Sequence, residues 1–189
     1  AQRQGRAKDS SDATQESLIK MLSLKGGKST LDNLLELNIM PVAISYELDP
    51  NDYLKAREFL LKSKNPDFKK SQRDDLFSME TGILQNKGRV HFTFTDCIND
   101  EIESLRPLDK IDQLNGVCAI IDKHIHSNYR IYPCNYIAYG QRFGTDRFNG
   151  MYSKEEADRF NNYLSTQLAK VQKEVDFTLS DEDYAFMRS

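Results

Sequence analysis

Ile39-Met40-Pro41-Val42-Ala43-Ile44 is almost wholly apolar, short, and bounded by polar residues. An unbroken run of that length predicts a strand covered on both faces, as in a parallel sheet. Pro41 near its start is tolerated, because the first residues of a strand can lack a ladder donor. Arg89 to Thr95 alternates instead, with Val90, Phe92 and Phe94 on one side and His91, Thr93 and Thr95 on the other. That spacing predicts a strand with one buried face. On this reading Phe92→Ala costs roughly 3–5 kcal/mol and His91→Ala almost nothing.

Helical periods fill most of the remainder. Asp12 with Gln15 three residues on forms a capping-box pattern, Leu18, Met21 and Leu22 follow at helical spacing, and Gly26-Gly27 ends the element. A short helix is expected over Thr30 to Leu37. Asp49-Pro50 starts another that runs to about Lys62. Ser71 with Asp74 caps a helix to about Leu84, and Lys87-Gly88 makes a turn. From Leu108 to Ser127, the positions Ile111, Leu114, Cys118, Ile121 and Ile125 make one apolar stripe. Tyr129 to Tyr139, with alternating aromatic and β-branched residues around Pro133, reads as short extended pieces. Ser153 with Glu156 caps a long helix that buries Ala157, Phe160, Leu164, Leu168 and Val171. Ser180 to Ser189 reads as a short terminal helix. Strands alternating with helices imply an α/β fold, a mixed and largely parallel sheet flanked by helices.

Length and composition narrow the class. The chain has 189 residues and a mass of 21.8 kDa, which fits a single domain over 1–189 with a core that needs no disulfide or metal. Lys plus Arg is 26 and Asp plus Glu is 29, so the net charge of −3 argues against general nucleic-acid binding. No apolar run approaches the roughly 20 residues of a spanning helix. Three cysteines, Cys97, Cys118 and Cys134, cannot all pair within one chain and read as reduced thiols.

Few residues carry recognisable chemistry. Gly27-Lys28-Ser29 looks like the end of a phosphate-binding loop, but Leu22 occupies the position that the full pattern reserves for glycine. The segment is better read as a helix stop. His91 and Asp96 match His-x4-Asp, a pairing in which a carboxylate orients an imidazole to take a hydroxyl proton. On a strand the two would point to opposite faces about 16 Å apart, so the match reads as accidental. His124 and His126, two apart on a helix, do not share a face and make a poor metal pair. Asp122 and His126 have the spacing of a weak surface pair. Cys118 reads as a core residue, and a thiol hydrolase using Cys134 has no positive support. The opening differs. Arg3, Arg6 and Lys8 flank Gly5 before a helix start, and glycine amides with cations suit a phosphate or carboxylate.

That opening, Arg3-Gln4-Gly5-Arg6-Ala7-Lys8-Asp9, resembles the third sequence block of the lysophosphatidate (1-acylglycerol-3-phosphate) acyltransferase family, whose core is Glu-Gly followed by arginine. Met40-Pro41-Val42 is similar to the fourth block, an apolar strand with a proline. Tyr53 to Phe59, Asn65 to Glu80, Gly88 to Phe94 and His124 to Tyr139 resemble the C-terminal half of glycerol acyltransferases of the Bacteroidetes group. The resemblance implies a glycerol-3-phosphate acyltransferase-like fold lacking its N-terminal part. It implies acyl transfer from coenzyme A or acyl carrier protein to a glycerolipid hydroxyl, at the inner face of the cytoplasmic membrane, with no metal or redox cofactor. In the family the catalytic His-x4-Asp precedes the third block, which here falls before Ala1, so the chain is expected to be part of a longer protein. Gln4, Gly5 and Arg6 would contact the acceptor's phosphate, Arg3 and Lys8 would add positive field, and Pro41 would support the acyl channel. Gln4 replaces the family's glutamate, keeping hydrogen-bonding capacity without the charge. The alternative is a non-catalytic lipid- or protein-binding module derived from an acyltransferase.

Overall fold

The computed structural model describes residues 13–24 and 26–188. In chain order the elements are α1 (Glu16–Leu22), α2 (Thr30–Leu35), β1 (Val42–Tyr46), α3 (Asp52–Lys64), α4 (Gln72–Leu84) and β2 (Val90–Phe94). They continue with α5 (Asn99–Glu103), α6 (Lys110–Ser127), α7 (Pro133–Phe143), a 3-10 turn at Asn149–Met151, α8 (Lys154–Lys173) and α9 (Asp181–Arg188).

Local chemistry sets most boundaries. The Ser71 hydroxyl accepts from the Asp74 amide while the Asp74 carboxylate accepts from the Ser71 amide, and Ser153 with Glu156 repeats the arrangement at α8. Asp109 accepts from the amides of Ile111 and Asp112 to start α6. Asp12 lies outside the described residues; the cap position of α1 is Gln15, with no side-chain cap bond.

The chain forms two compact units. The first takes the described residues up to Ser45 together with His91–Arg130. Here α1 packs on α6, and α2 and α6 both pack on α5. Ile19, Leu31, Leu34, Ala43, Ile98, Ile102, Leu114 and Val117 form its core with the inner face of α6. The second unit takes Tyr46–Val90 and Ile131–Ser189. In it α3 packs on α8 and α9, and α7 packs on α8, around Tyr53, Leu54, Leu60, Val171 and Leu179.

The expectation of an α/β fold with a largely parallel sheet is wrong. The structure is 59% helical and its strands form only a two-stranded antiparallel sheet. A parallel crossover needs its helices to pack back over the sheet. Of the helices between β1 and β2, α3 instead packs with α8 and α9 in the second unit. The run from Ile39 to Ile44 also lacks the double cover expected of it. Pro41, Ala43 and Ser45 are buried, whereas Met40 and Ile44 are exposed.

The strand over Arg89 to Thr95 is inverted relative to its pattern. Phe92 is 51% and Phe94 70% exposed, while Thr93 is half-buried and its hydroxyl donates to the Asn128 carbonyl. Half burial leaves Phe92→Ala worth roughly 1 kcal/mol in this unit, not 3–5. Tyr129 to Tyr139 keeps extended backbone only ahead of Pro133, at Tyr132. From Pro133 onward it is α7, whose start is fixed by proline at the first helical position and by the Asn135 side chain accepting from the Tyr132 amide. The short α5 was not foreseen. The α6 and α8 stripes do face inward at Leu114, Cys118, Ile121, Ile125, Leu168 and Val171, although Ile111 is exposed.

Candidate functional site

Arg3, Gln4, Gly5, Arg6 and Lys8 lie outside the described residues. Pro41 is buried at the head of β1, where its carbonyl accepts from the amide and the hydroxyl of Thr95. His91 is exposed on β2, opposite Ser45 in the register, and Asp96 is exposed beyond the strand end. No hydrogen bond or ion pair joins His91 to Asp96 among the described residues.

The register decides what the sheet presents. Thr95 donates to Pro41 and Glu47 donates to Arg89, so residues 41 and 95, and 47 and 89, are hydrogen-bonded pairs. Val42 therefore lies opposite Phe94 and Ile44 opposite Phe92, all on one face. The amides and carbonyls of these four residues point to the outer edges, where no further strand lies among the described residues. Beside this face runs a groove of about 490 Å³ whose walls include Leu18, Leu22, Met40, Val42, Ile44 and Tyr129. No charged side chain lines it.

Other histidines of the first unit do structural work. His124 on α6 pairs with Glu101 on α5, and the imidazole beside it holds the Glu101 carboxyl below its ordinary value. Asp122 accepts from both the amide and hydroxyl of Thr14, tying α6 to the start of α1. The His126 ring lies 5.6 Å from that of Tyr129. Among the described residues no cluster of histidine, cysteine and carboxylate side chains is arranged to hold a metal. Gly27-Lys28-Ser29 turns between helices. Gly27 has φ +90°, Lys28 pairs with Glu36, and Ser29 caps α2 by accepting from the Asp32 amide at 3.1 Å.

The second unit holds a smaller pocket of about 220 Å³, lined in part by Glu47, Arg89, Cys134, Arg159, Phe160 and Tyr163. Arg89 clamps Glu47 with Nε at 3.0 Å and Nη2 at 2.8 Å, and its guanidinium holds the Glu47 carboxyl below its ordinary value. The buried Cys134 thiol donates to the Glu47 carbonyl at 3.0 Å. Burial, then the nearby Glu47 carboxylate, pushes that thiol up, which keeps it protonated and poorly nucleophilic. All three histidines belong to the first unit, so no imidazole accompanies Cys134 in the second. Deeper in, Asp52 accepts from the Tyr163 hydroxyl at 2.6 Å and from Gln167 at 2.7 Å. Burial pushes both the Asp52 carboxyl and the Tyr163 phenol above their ordinary values. Sequence reasoning missed this network, because Asp52 and Tyr163 stand 111 positions apart and neither belongs to a motif.

Protein-family models, curated proteins and solved structures yield no match to this chain. No helix among the described residues is long and apolar enough to cross a membrane.

Proposed function

We propose that this chain is the C-terminal portion of a glycerolipid acyltransferase, moving a fatty acyl group from acyl-CoA or acyl carrier protein to the hydroxyl of lysophosphatidate or a related glycerolipid. The observation that carries the reading is the resemblance that begins at Arg3-Gln4-Gly5-Arg6 and extends through Met40-Pro41-Val42 to Tyr139. In this reading an upstream histidine, oriented by an upstream aspartate, takes the acceptor's hydroxyl proton. The oxygen attacks the thioester carbonyl, the carbon–sulfur bond breaks, and the thiolate leaves as free thiol with that proton. This chain's part is recognition. Gln4, Gly5 and Arg6 take the acceptor's phosphate, Arg3 and Lys8 add field, and Pro41 fixes the start of an apolar strand whose neighbours Met40 and Ile44 stand open to an acyl chain. The enzyme works peripherally at the inner face of the cytoplasmic membrane and needs no metal or redox cofactor.

A second reading, a non-catalytic lipid- or protein-binding module, draws support from the open apolar sheet face and from Gln4. Binding of the chain to detergent micelles carrying lysophosphatidate, compared with monoacylglycerol, tests the phosphate assignment. The phosphate-bearing lipid should bind more tightly, and Arg6→Ala should weaken that preference about tenfold or more, the worth of a charge-assisted bond. Equal binding of the two lipids would refute the assignment.

A further inference from the structure

We infer that the pocket beside the Glu47–Arg89 clamp binds a small organic monocarboxylate, with Arg159 and Arg89 taking its carboxylate and Phe160, Pro133 and Leu48 enclosing its apolar body. Every residue that lines this pocket belongs to the second unit, and the inference stands apart from the acyltransferase reading.

The charges select an anion. Four ionised side chains line the pocket: Glu47, Arg89, Glu156 and Arg159. Three of them are already answered. Glu47 and Arg89 cancel through their two-pronged pair, and the Arg89 guanidinium is further fixed 5.1 Å from the centre of the Tyr132 ring. Glu156 accepts from the Ser153 amide at 2.9 Å and sits in the first turn of α8, where the positive end of a 20-residue helix offsets its charge. Arg159, in the next turn, forms no ion pair or hydrogen bond among the described residues. Its field does reach the clamp: the Glu47 carboxyl is held low first by its bonds to Arg89 and last by the charge of Arg159. The pocket is therefore left with one uncompensated positive charge. Arg89 spends Nε and Nη2 on Glu47, so its Nη1 remains to share an incoming carboxylate with Arg159.

Size and walls set the rest of the ligand. An apolar cavity of roughly 150 Å³ accepts benzene, so about 220 Å³ takes a benzene ring bearing a carboxylate but not a nucleotide. Cys134 is buried and Leu48, Pro133, Phe160 and Tyr163 are half-buried, whereas Arg89 and Arg159 are exposed. The apolar wall is thus the inner one and the cationic wall the outer one. The Phe160 ring stacks on that of Tyr163, with centres 6.5 Å apart, and the Tyr163 hydroxyl is already committed to Asp52 and Gln167. That wall makes no polar demand on the body of the ligand. A phosphate monoester fits less well. Its charge of roughly −1.5 to −2 near pH 7 exceeds the single free cation and would face the carboxylates of Glu47 and Glu156.

Titration of the full 189-residue chain with benzoate, benzyl alcohol and phenyl phosphate at pH 8, followed by amide NMR, tests the proposal. Benzoate should bind saturably below about 1 mM, an ordinary affinity for so small a ligand. It should shift the amides of Gly88 and Phe160 and leave those of α6, in the first unit, in place. Benzyl alcohol, which keeps the ring without the charge, should bind about tenfold or more weakly, the worth of a charge-assisted bond, and phenyl phosphate should also bind more weakly than benzoate. Arg159→Gln removes an exposed charge and should leave the unfolding midpoint unchanged. It should weaken benzoate about tenfold and leave benzyl alcohol as it was. Absence of saturable benzoate binding would overturn the proposal. So would equal affinities for benzoate and benzyl alcohol, tighter binding of phenyl phosphate, or a benzoate affinity untouched by Arg159→Gln.

Discussion

Tyr163→Phe removes one oxygen and tests how α8 is locked to α3. The Tyr163 hydroxyl donates to Asp52 at 2.6 Å and also accepts from Gln167 at 2.9 Å, while Gln167 donates to the other Asp52 oxygen. Deleting the hydroxyl leaves a half-buried carboxylate short of one donor. A hydrogen bond to a charged group is worth about 1.5–3 kcal/mol, so a loss of about 2 kcal/mol is expected at pH 8. The pH dependence identifies the cause. Burial raises the Asp52 carboxyl above its unfolded value, so the native state holds this proton to higher pH than the unfolded chain does. The associated stabilisation is complete below the unfolded value, near pH 4, and is lost as pH rises through the raised folded value. Removing the Tyr163 donor makes the ionised form costlier still, so the gap between wild type and variant must widen with rising pH. Urea denaturation of both proteins between pH 4 and pH 8 measures it. Asp52→Asn should flatten that dependence. A gap of constant size across the range would refute the assignment, because it would mean lost packing rather than lost charge stabilisation.

Other consequences are simpler. Gly88 has φ +66°, and a Cβ there would sit 2.8 Å from Glu47 Oε2 and 2.9 Å from Glu47 Cβ. Gly88→Ala should therefore cost about 2–3 kcal/mol in thermal unfolding, from left-handed strain plus displacement of the Arg89 clamp. Ile102 is fully enclosed in the first unit's core, and Ile102→Ala should cost about 2–5 kcal/mol in chemical denaturation. Ser71→Ala removes the capping hydroxyl of α4 and should cost about 1 kcal/mol, recovered largely by Ser71→Thr. A thiol-specific reagent should label exposed Cys97 in the native chain well before Cys118 or Cys134, and equal rates at all three would contradict the burial of the latter two.

Helices were legible where short-range chemistry sets them. The boxes at Ser71–Asp74 and Ser153–Glu156 and the stripe from Leu114 to Ile125 each lie within a few residues and involve no long-range choice. The sheet was not, for a physical reason. An apolar run such as Ile39 to Ile44 says that side chains avoid water, not which layer covers them, and here one face is left open. Phe92 and Phe94 misled by the same logic, since alternation fixes that two faces differ but not which is turned inward. Thr93 takes the inner side by bonding the Asn128 carbonyl, a partner 35 positions away. Pro133 opened a helix rather than breaking an extended stretch, and its signature, proline followed by Asn135 reaching back to Tyr132, was present in the sequence. The Glu47–Arg89 clamp and the Asp52–Tyr163–Gln167 network depend on chain folding that no local pattern encodes.

Acyl transfer tests the functional account most directly. Radiolabelled oleoyl-CoA and lysophosphatidate are supplied to the protein extended through its upstream reading frame, and labelled phosphatidate is measured. The account predicts transfer that is abolished by replacing an upstream His-x4-Asp histidine, strongly reduced by Arg6→Ala, and unchanged by His91→Ala. Absence of transfer by the extended protein, or transfer that requires His91, would contradict it.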